Sequence, residues 1–222
     1  KGTVFVNFFD REYVAIPKLL KEKGYYTYSM HANTGEFWNR NIMHQSLGYD
    51  KFYSKQDYNI DDVIGLGLSD KSFFKQSVEK LKKIKQDHDK FYGIVISLSN
   101  HTPFSDVTKY GEFKVTMNEE VTNEDGTTTT VEHPYLEGTK LGNYFKSVHY
   151  ADAALGEFFT ELDEAGLLEN TVVMLYGDHD ARLPKADYVK MLNYDMTTDS
   201  VKSKDDSTYQ EFNSYHYELN RK

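Results

Sequence analysis

The chain has 222 residues, of which 39% are hydrophobic and 27% charged, a balance that fits one large globular domain or two small ones. A net charge of -9 argues against nucleic acid as a partner, because phosphate binding needs a basic surface, and zero cysteines exclude disulfides, thiolate metal sites and cysteine nucleophiles. No apolar run reaches membrane-spanning length. The chain opens Lys1-Gly2-Thr3-Val4-Phe5 without an initiator Met, and its charged end from Tyr217 to Lys222 carries neither a helix cap nor a closing strand. The expectation is a piece of a longer protein.

Taken in order, Thr3 to Phe8 alternates weakly and predicts an edge strand or an extended approach segment. Pro17 suits a first helical turn and Gly24 a C-terminal cap, so a short helix is predicted over Lys18 to Lys23. Tyr25 to Met30 has strand composition and ends in His31-Ala32-Asn33. Thr34 to Tyr53, with Phe37, Trp38, Asn39, Arg40 and Gly48, follows no clear period and reads as an ordered loop with a helical turn. Ordered loops at strand ends tend to carry function.

Ser69 or Asp70 can cap a helix that shows Phe74, Val78, Leu81 and Ile84 at helical spacing; Lys80, Lys82, Lys83 and Lys85 then form a solvated face. Phe91 to Ser97 is a third strand and runs into Leu98-Ser99-Asn100-His101-Thr102-Pro103-Phe104, where Pro103 stops regular structure. The acidic, Thr-rich stretch at about 113–132 predicts an exposed β-hairpin around Asp125-Gly126. Its Glu119, Glu120, Glu124 and Asp125 match no cation loop, and solvation is the better reading. Phe145, Val148, Leu155, Phe158, Phe159 and Leu162 mark the longest amphipathic helix, ending near Gly166, on which Tyr150 and Asp152 pack or cap rather than touch substrate.

That helix feeds Val172-Val173-Met174-Leu175-Tyr176, a run composed like a strand buried on both faces, and Gly177 then leads to Asp178-His179. A strand sends consecutive side chains to opposite faces, so these two could share an ion only where the backbone leaves strand geometry. Their oxygen and nitrogen donors suit Mn²⁺ or Zn²⁺; the ordinary alternative is a loop Asp acting as a cap beside a surface His. Helix-strand repetition with polar clusters at the strand ends predicts a mainly parallel α/β sheet with helices on both faces. The clusters His31-Asn33, Asn100-His101 and Asp178-His179 would gather at one edge. Past Arg182 the pattern assigns little.

Phe37-Trp38-Asn39-Arg40, Gly48 to Tyr53, Ser99 to Phe104 and Tyr176-Gly177-Asp178-His179 stand in the order and approximate spacing of the lipoteichoic acid synthases. These are polyglycerolphosphate synthases in the sulfatase branch of the alkaline phosphatase superfamily. The resemblance runs from about Val14 to about Arg182. It implies an alkaline phosphatase/sulfatase-like fold, N-terminally incomplete, with residues 1–222 as part of an extracellular catalytic domain. It also implies a metal-dependent phosphoglycerol transferase that moves glycerol phosphate from phosphatidylglycerol to a growing polyglycerolphosphate chain through a covalent threonine intermediate.

By the same resemblance, Asp178 and His179 are metal ligands, with Mn²⁺ expected and Mg²⁺ or Zn²⁺ as alternatives. His31, Asn33, Phe37, Trp38, Arg40 and His101 hold substrate. Asn33 stands where some members have Asp, and Asp180-Ala181-Arg182 replaces a Tyr-Gly-Ile found elsewhere in the family. The nucleophilic threonine and a glutamate ligand have no counterpart in this stretch, which would then be inactive alone. The implied location is the outer face of a Gram-positive cell membrane, through an N-terminal anchor outside this stretch. Two other readings stay open: a sulfatase or phosphoethanolamine transferase, and a domain that binds polyol phosphate without turnover.

Overall fold

The computed structural model describes residues 4–195, 197–203, 205 and 206. They divide into two compact units, one within residues 1–101 and 150–177, the other within 102–149 and 178–222.

In the first unit, α1 (Val4–Asn7) occupies the place where alternation suggested an extended strand. Phe8 N closes on Val4 O at 2.9 Å. A period of two acquires meaning only beside a ladder partner, and no described strand pairs there, so the local helical bond prevails. α2 (Ile16–Lys21) carries Pro17 in its first turn, and Gly24 (φ 81°) supplies the left-handed turn that leads into β1 (Tyr26–Met30). From Thr27 onward β1 is buried at every position, as the central strand of a sheet must be.

The segment expected to be a loop holds more order. A 3₁₀ turn at Phe37–Asn39 leads into α3 (Arg40–Ser46) and then β2 (Lys51–Tyr53), elements too short to display a period. β3 (Val63–Ile64) and β4 (Gly67–Leu68) form a minimal antiparallel pair. α4 (Asp70–Asp87) starts at Ser69, whose Oγ accepts from Ser72 N at 3.3 Å, and buries Phe73, Phe74, Val78, Leu81 and Ile84. Lys82, Lys83 and Lys85 are exposed as expected, but Lys80 is half-buried with Nζ 4.4 Å from the Tyr58 ring centre, and that burial lowers its pKa.

β5 (Phe91–Val95) completes a parallel sheet of order β2-β1-β5. Met30 pairs with Tyr53 on one side and Val95 on the other, so the C-terminal ends of all three strands meet one edge. Gly93 is required in β5, because a Cβ there would lie 2.1 Å from the Tyr28 ring. The architecture is α/β, a parallel sheet with helices, as the sequence predicts.

In the second unit, β6 (Thr116–Thr122) and β7 (Thr128–Pro134) form the hairpin. Asp125 Oδ1 takes the amide and hydroxyl of Thr127, and Gly126 sits at φ 81°. α5 (Lys140–Glu164) gives residues 140–149 to this unit and the remainder to the first. Phe104, Val115, Leu136, Leu141 and Leu183 make the core of the second unit, followed by α6 (Lys185–Met191) and the pair β8 (Tyr194–Asp195) and β9 (Ser200–Val201). Thr208 to Tyr217, unassigned by pattern, lies outside the described residues.

The largest correction concerns 172–176. The run is not a buried strand: no described strand pairs with it, and exposure ranges from 49% at Val173 to 94% at Val172. β propensity measures fit to a pleated neighbour, and composition alone cannot supply that neighbour.

Candidate functional site

The sheet edge in the first unit is tied together at His31. Its amide donates to Tyr53 O at 3.0 Å, and Ile96 N donates to Met30 O at 2.9 Å, which joins the exits of all three strands. His31 Nδ1 lies 2.9 Å from Ile96 O. A carbonyl only accepts, so Nδ1 carries a proton, and in the neutral ring Nε2 is the acceptor. The residue is 2% exposed, hence its orientation is fixed by the sheet. Asn33 N turns back onto His31 O at 2.8 Å, while its amide Oδ1 accepts from Thr34 N at 2.7 Å. The amide N–H₂ can donate to a ligand, and Oδ1 keeps a second lone pair.

The exit of β5 meets the same edge. Gly67 marks the junction: a Cβ there would stand 2.9 Å from Leu98 Cδ2 and 3.0 Å from Ala32 O. His101 N donates to Leu98 O at 3.0 Å, closing a turn that leaves the half-buried imidazole at the end of this segment. Two of the three predicted clusters thus share one edge of one sheet.

Trp38 (φ 59°) and Asn39 (φ 55°) are both left-handed, an arrangement that costs a bulky residue about 1–3 kcal/mol. Phe37 and Trp38 are 50% and 47% exposed and meet edge to face at 5.7 Å, so neither ring is a core residue. Asn39 Nδ2 secures the turn on Phe5 O at 3.0 Å, and the Arg40 guanidinium lies 5.3 Å from the Phe37 ring centre. In α3, His44 is buried, with Nδ1 2.5 Å from the buried Ser29 Oγ. Burial, followed by the charges of Arg40 and His31, lowers its pKa from 6.5 to about 4.

Asp178 and His179 belong to the second unit and lie in a bend, so the strand alternation that would have separated them does not apply. His179 Nε2 is 3.8 Å from Asp178 Oδ1, and Nδ1 lies 2.7 Å from Asp180 O. The Asp180 carbonyl accepts a hydrogen bond from Nδ1–H, so in the neutral ring Nε2 is the lone-pair donor. A separation under twice a metal-ligand distance of about 2.1 Å lets both atoms reach one ion, and the donor set fits Mn²⁺ or Zn²⁺. Among the described residues no group of three or more His, Cys, Asp or Glu is placed to hold a metal. The pair supplies two ligands only.

Sequence reading missed three positions that shape the edge. Asp70 looked like an ordinary helix cap, Gly67 carried no turn signal, and His44 sat in a stretch read as loop. Each matters through contacts distant in sequence, which no local pattern shows.

The sulfatase family model matches residues 3–217. Lipoteichoic acid synthase 1 of Bacillus subtilis (strain 168) is 37% identical over 182 residues, covering 81% of this chain and 25% of that protein. The lipoteichoic acid synthase of Staphylococcus saprophyticus is 35% identical over 77% of this chain and 24% of that protein. This chain thus spans about a quarter of the length of the curated relatives it matches. Among solved structures, the lipoteichoic acid synthase LtaP from Listeria monocytogenes superposes with a TM-score of 0.69 at 33% identity, covering 84% of this chain and 43% of that one. A protein of the alkaline phosphatase superfamily from Vibrio parahaemolyticus gives 0.61 at 25% identity, over 82% and 40%.

Proposed function

Because the chain belongs to the sulfatase family, we propose that it is part of the catalytic domain of a glycerophosphotransferase that builds polyglycerolphosphate from phosphatidylglycerol. The observation that carries this reading is the sheet edge where His31, Asn33 and the turn bearing His101 come together.

In this reading Arg40 grips phosphate, since its planar fork matches two phosphoryl oxygens and packing on Phe37 holds the guanidinium in place. Trp38 and Phe37 present exposed ring faces to the glycerol backbone. His101 donates a hydrogen bond to a phosphoryl oxygen or a proton to the departing alkoxide. His31 accepts at Nε2 and Asn33 donates from its amide, a pair that suits glycerol hydroxyls. Asp178 and His179 would hold a divalent ion, Mn²⁺ by preference. When bound, such an ion lowers the pKa of a hydroxyl nucleophile and neutralises phosphoryl charge. The nucleophilic threonine and a further acidic ligand are then supplied by residues other than these 222. We place the working enzyme at the outer face of a Gram-positive membrane, although no described helix is long and apolar enough to cross one.

The two-donor metal pair favours a second reading for the chain by itself, binding of polyol phosphate without turnover. The test is transfer from labelled phosphatidylglycerol by a longer chain containing these residues. Arg40→Ala should lower kcat/KM roughly a hundredfold, with Arg40→Lys recovering little. Undiminished transfer by Arg40→Ala would remove the reading, and hydrolysis of a sulfate ester in its place would move the assignment to the sulfatases.

A further inference from the structure

Asp70 is the first residue of α4, where an acid ordinarily stays in solvent and favours the helix N-terminus. Here Ser69 already caps the helix, and Asp70 is 1% exposed. Burying a carboxylate costs several kcal/mol unless hydrogen bonds offset it, and burial raises the pKa of this one. Its bonds do not serve its own helix. Oδ1 accepts from Leu98 N at 2.8 Å and Ser99 N at 3.1 Å, and Asp70 N donates to Ser99 Oγ at 2.8 Å. Oδ2 is buried without a hydrogen-bond partner among the described residues.

The two amides held by Asp70 open the turn that His101 N closes on Leu98 O. Ser69, Ser99 and Tyr150, all buried, surround the carboxylate, and the Tyr150 hydroxyl accepts from Lys71 N at 3.1 Å. The segment that leaves β5 is thus fastened to the start of α4 at Leu98 and Ser99, and the next anchored amide is that of His101. We infer that Asp70 is a positioning residue: its carboxylate sets the turn Leu98 to His101 and so fixes where the His101 imidazole is presented. The consequence for ligand binding rests on the proposal that His101 contacts glycerol phosphate.

The test uses the full 222-residue chain labelled at histidine, with the His101 ring ¹³Cε1–¹Hε1 cross-peak assigned by His101→Gln. In Asp70→Ala that peak should move to the position of a free histidine and narrow. The half-saturating concentration of sn-glycerol 3-phosphate should rise about tenfold. Asp70→Asn keeps an oxygen at Oδ1 for both amides and should restore both readouts. The inference is overturned if the His101 peak stays in place in folded Asp70→Ala. It is equally overturned if Asp70→Ala and Asp70→Asn shift the His88 peak, at the opposite end of the sheet, as much as the His101 peak.

Should Asp70→Ala not fold, Ser99→Ala removes the reciprocal bond and must displace the same peak by a smaller amount; no displacement sinks the inference. If the parent chain ignores glycerol phosphate while Asp70→Ala still displaces the His101 peak, positioning stands and the ligand assignment fails.

Discussion

His44 gives the chain a pH response that can be worked out in sign. Its pKa is about 4 in the folded chain and 6.5 in the unfolded one, so between those values the unfolded chain binds more protons. The contribution of a neutral buried His44 is full above about pH 6.5 and is lost as pH falls toward 4. The difference is on the order of 3 kcal/mol. Urea midpoints at pH 7 and pH 4.5 should therefore converge in His44→Gln by comparison with the parent, and an unchanged gap would show that His44 does not control it. Trp38 invites a different test at the same scale. Glycine adopts φ near 59° without strain, so Trp38→Gly should keep or raise stability by up to about 1 kcal/mol while weakening glycerol phosphate binding. Loss of both together would mean that the ring serves packing. The tryptophan was legible in the sequence as a candidate, but its left-handed backbone was not, because φ is set by the turn that Asn39 fastens on Phe5.

At the scale of elements, β1 is the strand on which the first unit is assembled, with β2 and β5 paired on either side. Gly93 makes one of those pairings possible by leaving room for the Tyr28 ring. Gly93→Ala should cost about 1–3 kcal/mol in chemical denaturation, and Tyr28→Leu should recover part of that loss in the double variant. Strict additivity of the two changes would show that the ring and the glycine do not meet. α4 and α5 were readable because burial imposes the same spacing on sequence and structure, and β1 and β5 were readable from strand composition bounded by turn signals. α1, α3 and β2 are three to seven residues long and hold their form through contacts that the local sequence does not contain.

For the molecule as a whole, the exposed run 172–176 is uncharged, rich in β formers and unpaired among the described strands, which is the signature of a self-associating segment. Leu175→Lys should lower light scattering and dye binding by the isolated chain without changing its circular dichroism; equal scattering would place the association elsewhere. Two metal donors likewise predict weak binding. Mn²⁺ at a concentration equal to its Kd stabilises by only about 0.4 kcal/mol, so thermal melts should respond slightly, and Asp178→Ala should abolish the response. A large shift that survives Asp178→Ala would exclude this pair. The sequence by itself determined the α/β class, the hairpin and the long helices, because periodicity and composition are local properties; the candidate residues came from its resemblance to a family. Only the tertiary structure decided which hydrogen bonds join His31, Asn33 and the His101 turn at the edge where the sequence expected them, that Asp70 holds the amides of that turn, and that Val172 to Tyr176 is exposed. Those outcomes depend on hydrogen-bonded partners tens of residues away, which a single stretch of sequence cannot specify.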